Sequence, residues 1–300
     1  MPDHARPPRR PHRLLLAALA APVVALTSAL AWPDAGTDTT PAASVADVVP
    51  AVASSPTDTV DRAAIQAAVD AAAAEAGGNI AVVVLAADGD ELVVGDGATD
   101  EQYTASLVKL LVVQQLLARD EAGTLALDDD DLALMQQAVE ASDDDAMSTL
   151  WVRFGGAELV TAAAEQFSLT ETAPPETAGQ WGESTTTAAD YATFLAALDD
   201  SLDAADAATL TGWMQSTTDT AADGFDQDFG LLAADSGAGT VAAKQGWMCC
   251  VDATRQLHSA GVLSDGQVVV LLGDFPTGTS WTQARAALDA AAQAVVAGQS

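Results

Sequence analysis

The chain has 300 residues, and 49 % of them are hydrophobic, which is enough to bury a core in one large domain or two small ones. Its 43 acidic residues outnumber its 11 lysines and arginines, so the formal net charge at pH 7 is -32. A surface with that charge repels phosphate backbones and anionic lipids, and we therefore expect no nucleic-acid partner.

The N-terminal residues have the pattern of an export signal. Basic residues up to Arg13 precede an apolar run over 14–31, which ends in Ala29-Leu30-Ala31, the small-residue pattern of a cleavage site. We expect a signal peptide over 1–31, although a run of this length also spans a bilayer if it is retained as an anchor. Cleavage would leave no stable membrane anchor and would place the protein outside the bacterial cytoplasm, secreted or in the cell envelope.

Residues 32–58 are rich in Ala, Thr, Pro, Asp and Ser without a helical period, which predicts a disordered linker before a folded domain over 59–300. Hydrophobic periodicity and turn residues predict the elements of that domain. In chain order they are a helix over 60–76, strands over 80–85 and 92–94, helices over 106–119, 132–140, 144–154 and 158–167, a helix capped at Thr187, a helix over 204–214, strands over 241–249, 256–263 and 267–272, and a helix over 281–297.

This order predicts an α+β fold of the α/β-α sandwich type. Strands from both ends of the chain would form a five-stranded antiparallel sheet that the two terminal helices cover. Residues 59–97 and 237–300 would form this α/β lobe, and residues 98–236 would form an inserted helical lobe. The cleft between the lobes is the expected pocket.

Cysteine and histidine are too few to predict a metal site. Cys249 and Cys250 are adjacent, so they form a vicinal disulfide or remain as two small buried thiols at a strand end, and we favour the thiols. His258 is the one histidine after the leader, and it has no ligand cluster at metal-binding spacing. We expect no metal and no other cofactor.

The two lysines of the chain, Lys109 and Lys244, both lie in motifs that can carry chemistry. Ser106 precedes Lys109 by three residues at a helix start, so the two side chains would share one helix face. A serine hydroxyl needs a neighbouring base to become a good nucleophile. Lysine becomes such a base when apolar burial and a second cation lower its pKa, and Lys244 is that second cation.

Two further motifs have ordinary structural explanations when each is taken alone. Ser142-Asp143-Asp144 is typical of a helix N-cap with acidic residues in the first turn. Lys244-Gln245-Gly246-Trp247 is typical of a charged edge strand with a glycine bulge. Their combination with Ser106 and Lys109, in this order, indicates a serine acyl-enzyme site.

The three motifs resemble the Ser-x-x-Lys, Ser-Asp-Asn and Lys-Thr-Gly signatures of class A β-lactamases and penicillin-binding D-Ala-D-Ala peptidases. The resemblance covers about residues 59–300 and implies a β-lactamase/transpeptidase-like fold. It also implies a β-lactam or a peptidoglycan stem peptide as the substrate, cleaved at an amide bond through an acyl-serine intermediate.

By the same resemblance, Ser106 would be the nucleophile and Lys109 its base. Ser142 would pass a proton to the leaving nitrogen, and Lys244 would hold the substrate carboxylate. The backbone N–H groups of Ser106 and Trp247 would form the oxyanion hole.

Asp144, Gln245 and Gly246 would contact the substrate, but two of these positions depart from the family. Asp144 replaces the family asparagine, and its carboxylate can accept a hydrogen bond but cannot donate one. Gln245 replaces threonine. The Glu-x-x-Leu-Asn pattern that activates the deacylating water in class A enzymes is missing between 142 and 244. We therefore expect acylation with slow release. The alternatives are a non-catalytic binding protein with this fold and an esterase that uses the same Ser–Lys pair.

Overall fold

The computed structural model describes residues 61–298 except 234, 235 and 238, so the expected signal peptide and linker lie outside the described residues. The α-helices in this part of the chain are α1 (Arg62–Glu75), α2 (Val108–Glu121), α3 (Asp129–Glu140), α4 (Asp144–Phe154), α5 (Gly156–Phe167), α6 (Ala188–Ala196), α7 (Ala204–Gln215) and α8 (Trp281–Ala297). The strands are β1 (Asn79–Leu85), β2 (Glu91–Val94), β3 (Gln102–Tyr103), β4 (Thr185–Thr186), β5 (Val241–Val251), β6 (Thr254–Leu263) and β7 (Val268–Pro276).

The main sheet has five strands in the order β2-β1-β7-β6-β5, and every neighbouring pair is antiparallel. Two of these strands come from the start of the folded chain and three from its end. The predicted α+β fold with a five-stranded sheet from both ends of the chain is confirmed.

The position of β1 inside the sheet, between β2 and β7, agrees with its apolar residues on both faces. Ile80, Val82 and Val84 belong to one hydrophobic cluster with residues of α1 and α8, while Ala81 and Val83 belong to a second cluster with the inserted helices. Alternate side chains of a strand point to opposite faces, so β1 is buried on both sides. The terminal helices therefore cover one face of the sheet, and the inserted helices cover the other.

Helix α2 lies at the centre of the helical layer. Every residue from Val108 to Leu117 is buried, as expected for a helix that is apolar on nearly all sides. Each buried leucine or valine contributes about 1.5–3 kcal/mol to the stability of the fold. Lys109 lies in the first turn of this helix and is enclosed with it.

Several details differ from the predicted elements. The helix expected from Ser106 starts as a 3-10 turn over Ala105–Leu107, and α2 begins at Val108. Strands β3 and β4 form a second sheet that was not predicted. Cys249 and Cys250 are exposed and joined in a disulfide, so the preference for two buried thiols was wrong.

The predicted cap at Thr187 is present, and its hydroxyl accepts a hydrogen bond from the backbone N–H of Asp190. The Asp190 carboxylate accepts hydrogen bonds from Glu171 N and the Thr172 hydroxyl, and thereby fixes the start of the loop that leads to residue 181. No helix in the described part of the chain has both the length and the apolar character needed to cross a bilayer.

Candidate active site

Ser106 lies in the 3-10 turn between β3 and α2 and is 4 % exposed. The residue before it, Ala105, has a φ of 47°, a left-handed conformation that costs a non-glycine residue about 1–3 kcal/mol. The turn is held on both sides, because the Tyr191 hydroxyl donates to Leu107 O at 3.0 Å and Thr104 N donates to Ser184 O at 2.7 Å. Tertiary contacts therefore hold the serine in a backbone conformation that the local sequence does not favour.

The Lys109 ammonium lies at the centre of the polar cluster. Its Nζ is 3.0 Å from Ser106 Oγ, 2.7 Å from Asp144 Oδ1 and 2.7 Å from the backbone oxygen of Ser142. The Ser142 hydroxyl is a fourth neighbour at 3.2 Å. An ammonium has three N–H donors, so these acceptors satisfy all of them in a side chain that is fully buried. A neutral Lys109 would instead accept the hydroxyl proton of Ser106.

Ser142 joins the two lysines of the chain. The loop before α4 gives Ser142 a φ of 49°, and its hydroxyl accepts hydrogen bonds from Lys109 Nζ and, at 2.8 Å, from Lys244 Nζ. Lys244 lies on β5, also donates to Gln245 O at 2.8 Å, and is fully buried. The structure thus brings Ser106, Lys109, Ser142 and Lys244 into one connected hydrogen-bond network.

Burial lowers the pKa of both lysines. Desolvation lowers the pKa of Lys109, while the carboxylates of Asp144, Asp143 and Asp223 act in the opposite direction. The pKa of Lys244 lies well below its usual range, first because of burial and then because of repulsion from Lys109. Lys109 is the lysine that touches Ser106, and Asp144 opposes its conversion to a neutral base.

Gly246 allows β5 to approach the serine turn closely. A Cβ at this position would lie 3.2 Å from Thr104 O and 3.2 Å from Leu107 Cγ, tighter than most real contacts. The next residue, Trp247, stacks on Phe225 with ring centroids 4.6 Å apart and donates from Nε1 to Asp223 at 3.0 Å. The strand edge beside Ser106 is therefore held by packing on both sides.

The Gln245 amide is used inside the protein. The side chain is fully buried, and Nε2 donates to the backbone oxygens of Gln227 and Phe229. Gln245 does not line the cavity beside Ser106. By contrast, Asp144 and Trp247 both line it.

A cavity of about 340 Å³ opens beside Ser106. Its walls come from the serine turn, the first two turns of α4, the segment around Trp181 and the outer part of β5. The lining residues are Ala105, Ser106, Asp144, Ser148, Gly179, Gln180, Trp181, Gly182, Trp247 and Met248.

Trp181 is the main cavity residue that sequence analysis missed. Its ring lies 4.9 Å from Lys109 Nζ, and its Nε1 donates to Ser148 Oγ at 3.2 Å. The flanking Gly179 and Gly182 were the available signal, because an aromatic residue between two glycines in a loop is typical of a binding surface.

His258 supports the site from behind. Its Nδ1 accepts a hydrogen bond from Gly273 N at 3.2 Å, so the ring proton is on Nε2, which lies 2.8 Å from Tyr103 O and donates to it. The ring is completely buried, and burial lowers its pKa to about 4. His258 thereby ties β6 to the segment that leads into Ser106.

No protein-family model matches the chain. The chain is 33 % identical over 205 residues to a protein named "Putative lipoprotein LppW" in Mycobacterium tuberculosis H37Rv and in Mycobacterium bovis. The match covers 66 % of this chain and 63 % of LppW, so the chain spans less than two thirds of the length of these relatives.

Solved β-lactamase structures match this chain over nearly their own whole length. A β-lactamase from Burkholderia phymatum superposes with a TM-score of 0.65 at 21 % identity, covering 80 % of this chain and 99 % of that one. A β-lactamase from Chitinophaga pinensis gives a TM-score of 0.64 at 17 % identity, covering 77 % and 97 %. The chain therefore has a β-lactamase-like fold. L2 in complex with relebactam also matches, with a TM-score of 0.58 at 18 % identity over 78 % of this chain and 99 % of that one. In this β-lactamase-like fold, the cavity beside Ser106 lies where the sheet edge meets the helical layer.

Proposed function

We propose that this protein is an exported serine hydrolase that acts through an acyl-enzyme at Ser106. The observation that carries the proposal is the 3.0 Å contact between Lys109 Nζ and Ser106 Oγ, in which both side chains are buried. A lysine whose pKa is lowered by burial can take the hydroxyl proton as the serine attacks a carbonyl carbon.

The other residues of the network supply the remaining steps in this proposal. The new bond joins Ser106 Oγ to the acyl carbon, and the bond from that carbon to the leaving group breaks. The Ser142 hydroxyl, 3.2 Å from Lys109 Nζ, would pass the proton from the lysine to the leaving group. Lys244 would keep the Ser142 hydroxyl oriented, and the N–H groups of Ser106 and Trp247 would stabilise the oxyanion.

Slow deacylation forms part of the proposal. The cavity lining in the described part of the chain contains no glutamate, and Glu171 and Glu176 are exposed in the loop between the second and third motifs. A β-lactam or a D-Ala-D-Ala-type amide would then acylate Ser106 faster than water releases the product. Export is supported by the N-terminal sequence pattern and by the lipoprotein name that the mycobacterial relatives carry.

An esterase is the second candidate, because one observation favours it. The cavity walls formed by the described residues present no cationic side chain, and Lys244 is fully buried with its hydrogen bonds directed to Ser142 and the backbone. A substrate carboxylate, which β-lactams and D-Ala-D-Ala peptides carry, would therefore find little direct compensation. An ester without a carboxylate would not need it. A non-catalytic binding protein with the same fold is the remaining alternative.

Intact-mass spectrometry tests the proposal with two probes, benzylpenicillin and p-nitrophenyl butyrate, on the wild-type protein and on Ser106→Ala. We expect an acyl adduct, or turnover of the probe, that is lost in Ser106→Ala. A penicilloyl adduct favours a penicillin-binding peptidase, and a butyryl adduct alone favours an esterase. If neither probe is bound or consumed, the proposal fails for β-lactams and for uncharged esters; if the cationic β-alanine ester tested below is not consumed either, the hydrolase proposal is wrong and the non-catalytic alternative stands.

A further inference from the structure

Among the described residues that line the cavity beside Ser106, Asp144 has the one charged side chain. Its side chain is 60 % exposed, whereas Lys109 and Lys244 are fully buried. A ligand that enters the cavity therefore meets a carboxylate and no accessible cation on these walls. The exposed side of Asp144 is the group on these walls that can pair with a positively charged ligand.

The position of Asp144 fixes where a ligand cation would sit. Asp144 Oδ1 and Ser106 Oγ both lie within 3.0 Å of the same Lys109 Nζ. The nucleophile and the carboxylate are thus separated by about the width of one ammonium group. A cation held at Asp144 would lie only a few bonds from a carbonyl carbon under attack by Ser106.

The neighbouring side chains suit an ammonium better than an amide carbonyl. A carboxylate accepts hydrogen bonds and cannot donate one to a carbonyl oxygen. Trp181 and Trp247 line the same cavity, and an aromatic ring face attracts a cation by about 0.5–2 kcal/mol. Trp181 is held in place by its hydrogen bond to Ser148, and its ring already lies 4.9 Å from the Lys109 ammonium.

We propose that the substrate of this site is a cationic acyl compound whose ammonium group lies two or three bonds from the reacting carbonyl and is held by Asp144. This inference rests on the proposed acyl-serine chemistry at Ser106. It names the substrate class that the site selects, and it predicts discrimination against substrates that carry a carboxylate at the same place.

The binding of such a substrate also affects the base. Asp144 stabilises the protonated form of Lys109 and raises its pKa against the effect of burial. A substrate ammonium at Asp144 shares that negative charge and repels the Lys109 ammonium, and both effects favour neutral Lys109. A cationic substrate would thus promote the proton transfer that its own cleavage needs.

Three p-nitrophenyl esters of nearly equal size test the substrate class: those of β-alanine, butyric acid and succinic acid. They carry an ammonium, a methyl group and a carboxylate at the same position. In each reaction the Ser106 Oγ–acyl bond forms, the ester C–O bond breaks, and p-nitrophenolate leaves. The burst rate of p-nitrophenolate measures acylation. The reactions are run at 0.15 M salt, where the Debye length is about 8 Å and distant charges are screened.

We expect kcat/KM to fall by at least about tenfold from the β-alanine ester to the butyrate ester, and further for the succinate ester. Asp144→Asn should abolish this order. Asp145→Asn is the matched control, because Asp145 is exposed in the same helical turn but does not line the cavity. Equal rates for the three esters, or a preference that survives Asp144→Asn, would overturn the inference.

A binding measurement separates this inference from the proposed function. Calorimetric titration of Ser106→Ala with β-alaninamide, butanamide and succinamate needs no catalysis. One outcome is that no ester acylates the wild-type protein, while β-alaninamide binds Ser106→Ala better than the other two amides and Asp144→Asn removes that preference. This outcome would support the cation site and refute the hydrolase. Acylation by all three esters without an amine preference would support the hydrolase and refute the cation site.

Discussion

The ammonium of Lys109 and the carboxylate of Asp144 form a 2.7 Å ion pair that joins a fully buried lysine to a largely exposed aspartate. The resembling families have a neutral asparagine amide at this position. A carboxylate here stabilises the protonated lysine, whereas proton abstraction from Ser106 needs the neutral form. In the proposed mechanism, the Asp144 side chain therefore opposes the action of the buried lysine as a base.

Replacing this carboxylate tests the coupling. In Asp144→Asn the pKa of Lys109 should fall, because desolvation would still disfavour its charge while only Asp143 and Asp223 oppose that effect. The rate of acylation by the neutral butyrate ester rises with pH as Lys109 loses its proton, so its midpoint should move to lower pH. A pH–rate profile of the burst phase measures this. A midpoint that stays in place would show that Lys109 is not the titrating base.

Lys244 should matter for activity and not for stability. A buried ammonium without a directly paired carboxylate disfavours folding, so Lys244→Met should leave the free energy of unfolding unchanged or raise it. The Ser142 hydroxyl would lose one of its two donors, and we expect acylation to slow by about 10²- to 10⁴-fold. Urea unfolding beside burst kinetics separates the two effects. A variant that is clearly less stable and still acylates normally would contradict this role.

Gly246→Ala should disturb the serine turn. The added methyl group would press on Thr104 O and Leu107 Cγ at 3.2 Å, so β5 and the turn must separate by a few tenths of an ångström. We expect the acylation rate to fall by about tenfold or more, since small displacements of reacting groups have large effects. Gly212→Ala is the matched control, because its methyl group meets no atom within 4 Å, and in helix α7 it should stabilise the fold by about 0.5–1 kcal/mol. Equal behaviour of the two variants would refute the packing argument.

His258 should make stability depend on pH. Its pKa is about 4 in the folded protein against 6.5 for an unperturbed histidine, so the unfolded chain binds the proton first. The contribution of neutral His258 to the free energy of unfolding is complete above pH 6.5. It is lost as the pH falls from 6.5 to about 4, by roughly 3 kcal/mol in total. Urea unfolding of wild type and His258→Gln between pH 4 and pH 8 measures it. The difference in stability between the two proteins should shrink with falling pH, and a constant difference would exclude His258 as the cause.

The local part of the site and much of the fold could be predicted from the sequence. Ser106 and Lys109 were predictable as a pair because residues three apart share a helix face, and β1 was predictable from its apolar run. The contacts of Ser142 with both lysines were expected from the resemblance, since no local pattern joins residues more than 30 positions apart.

What the sequence did not reveal depends on long-range contacts. Strands β3 and β4 have two residues each and pair across more than 80 positions, so neither has a measurable period. The place of Trp181 over Lys109 is set by the loop that Asp190 fixes, and not by its neighbours in the chain. The left-handed backbone at Ala105 opposes the local helix preference and exists because tertiary hydrogen bonds enforce it.

The sheet order also determines when this protein can become functional during its biosynthesis. Strand β7 lies between β1 and β6, so β1, which is synthesised first, must wait for one of the last strands before its second edge is paired. A nascent chain that ends before residue 268 holds the serine turn and its lysine but has no central strand to hold β5 and Lys244 beside them. Assembly of the reactive group is therefore delayed until synthesis is nearly complete. For the exported hydrolase that we propose, this delay would keep the reactive group unassembled for most of synthesis.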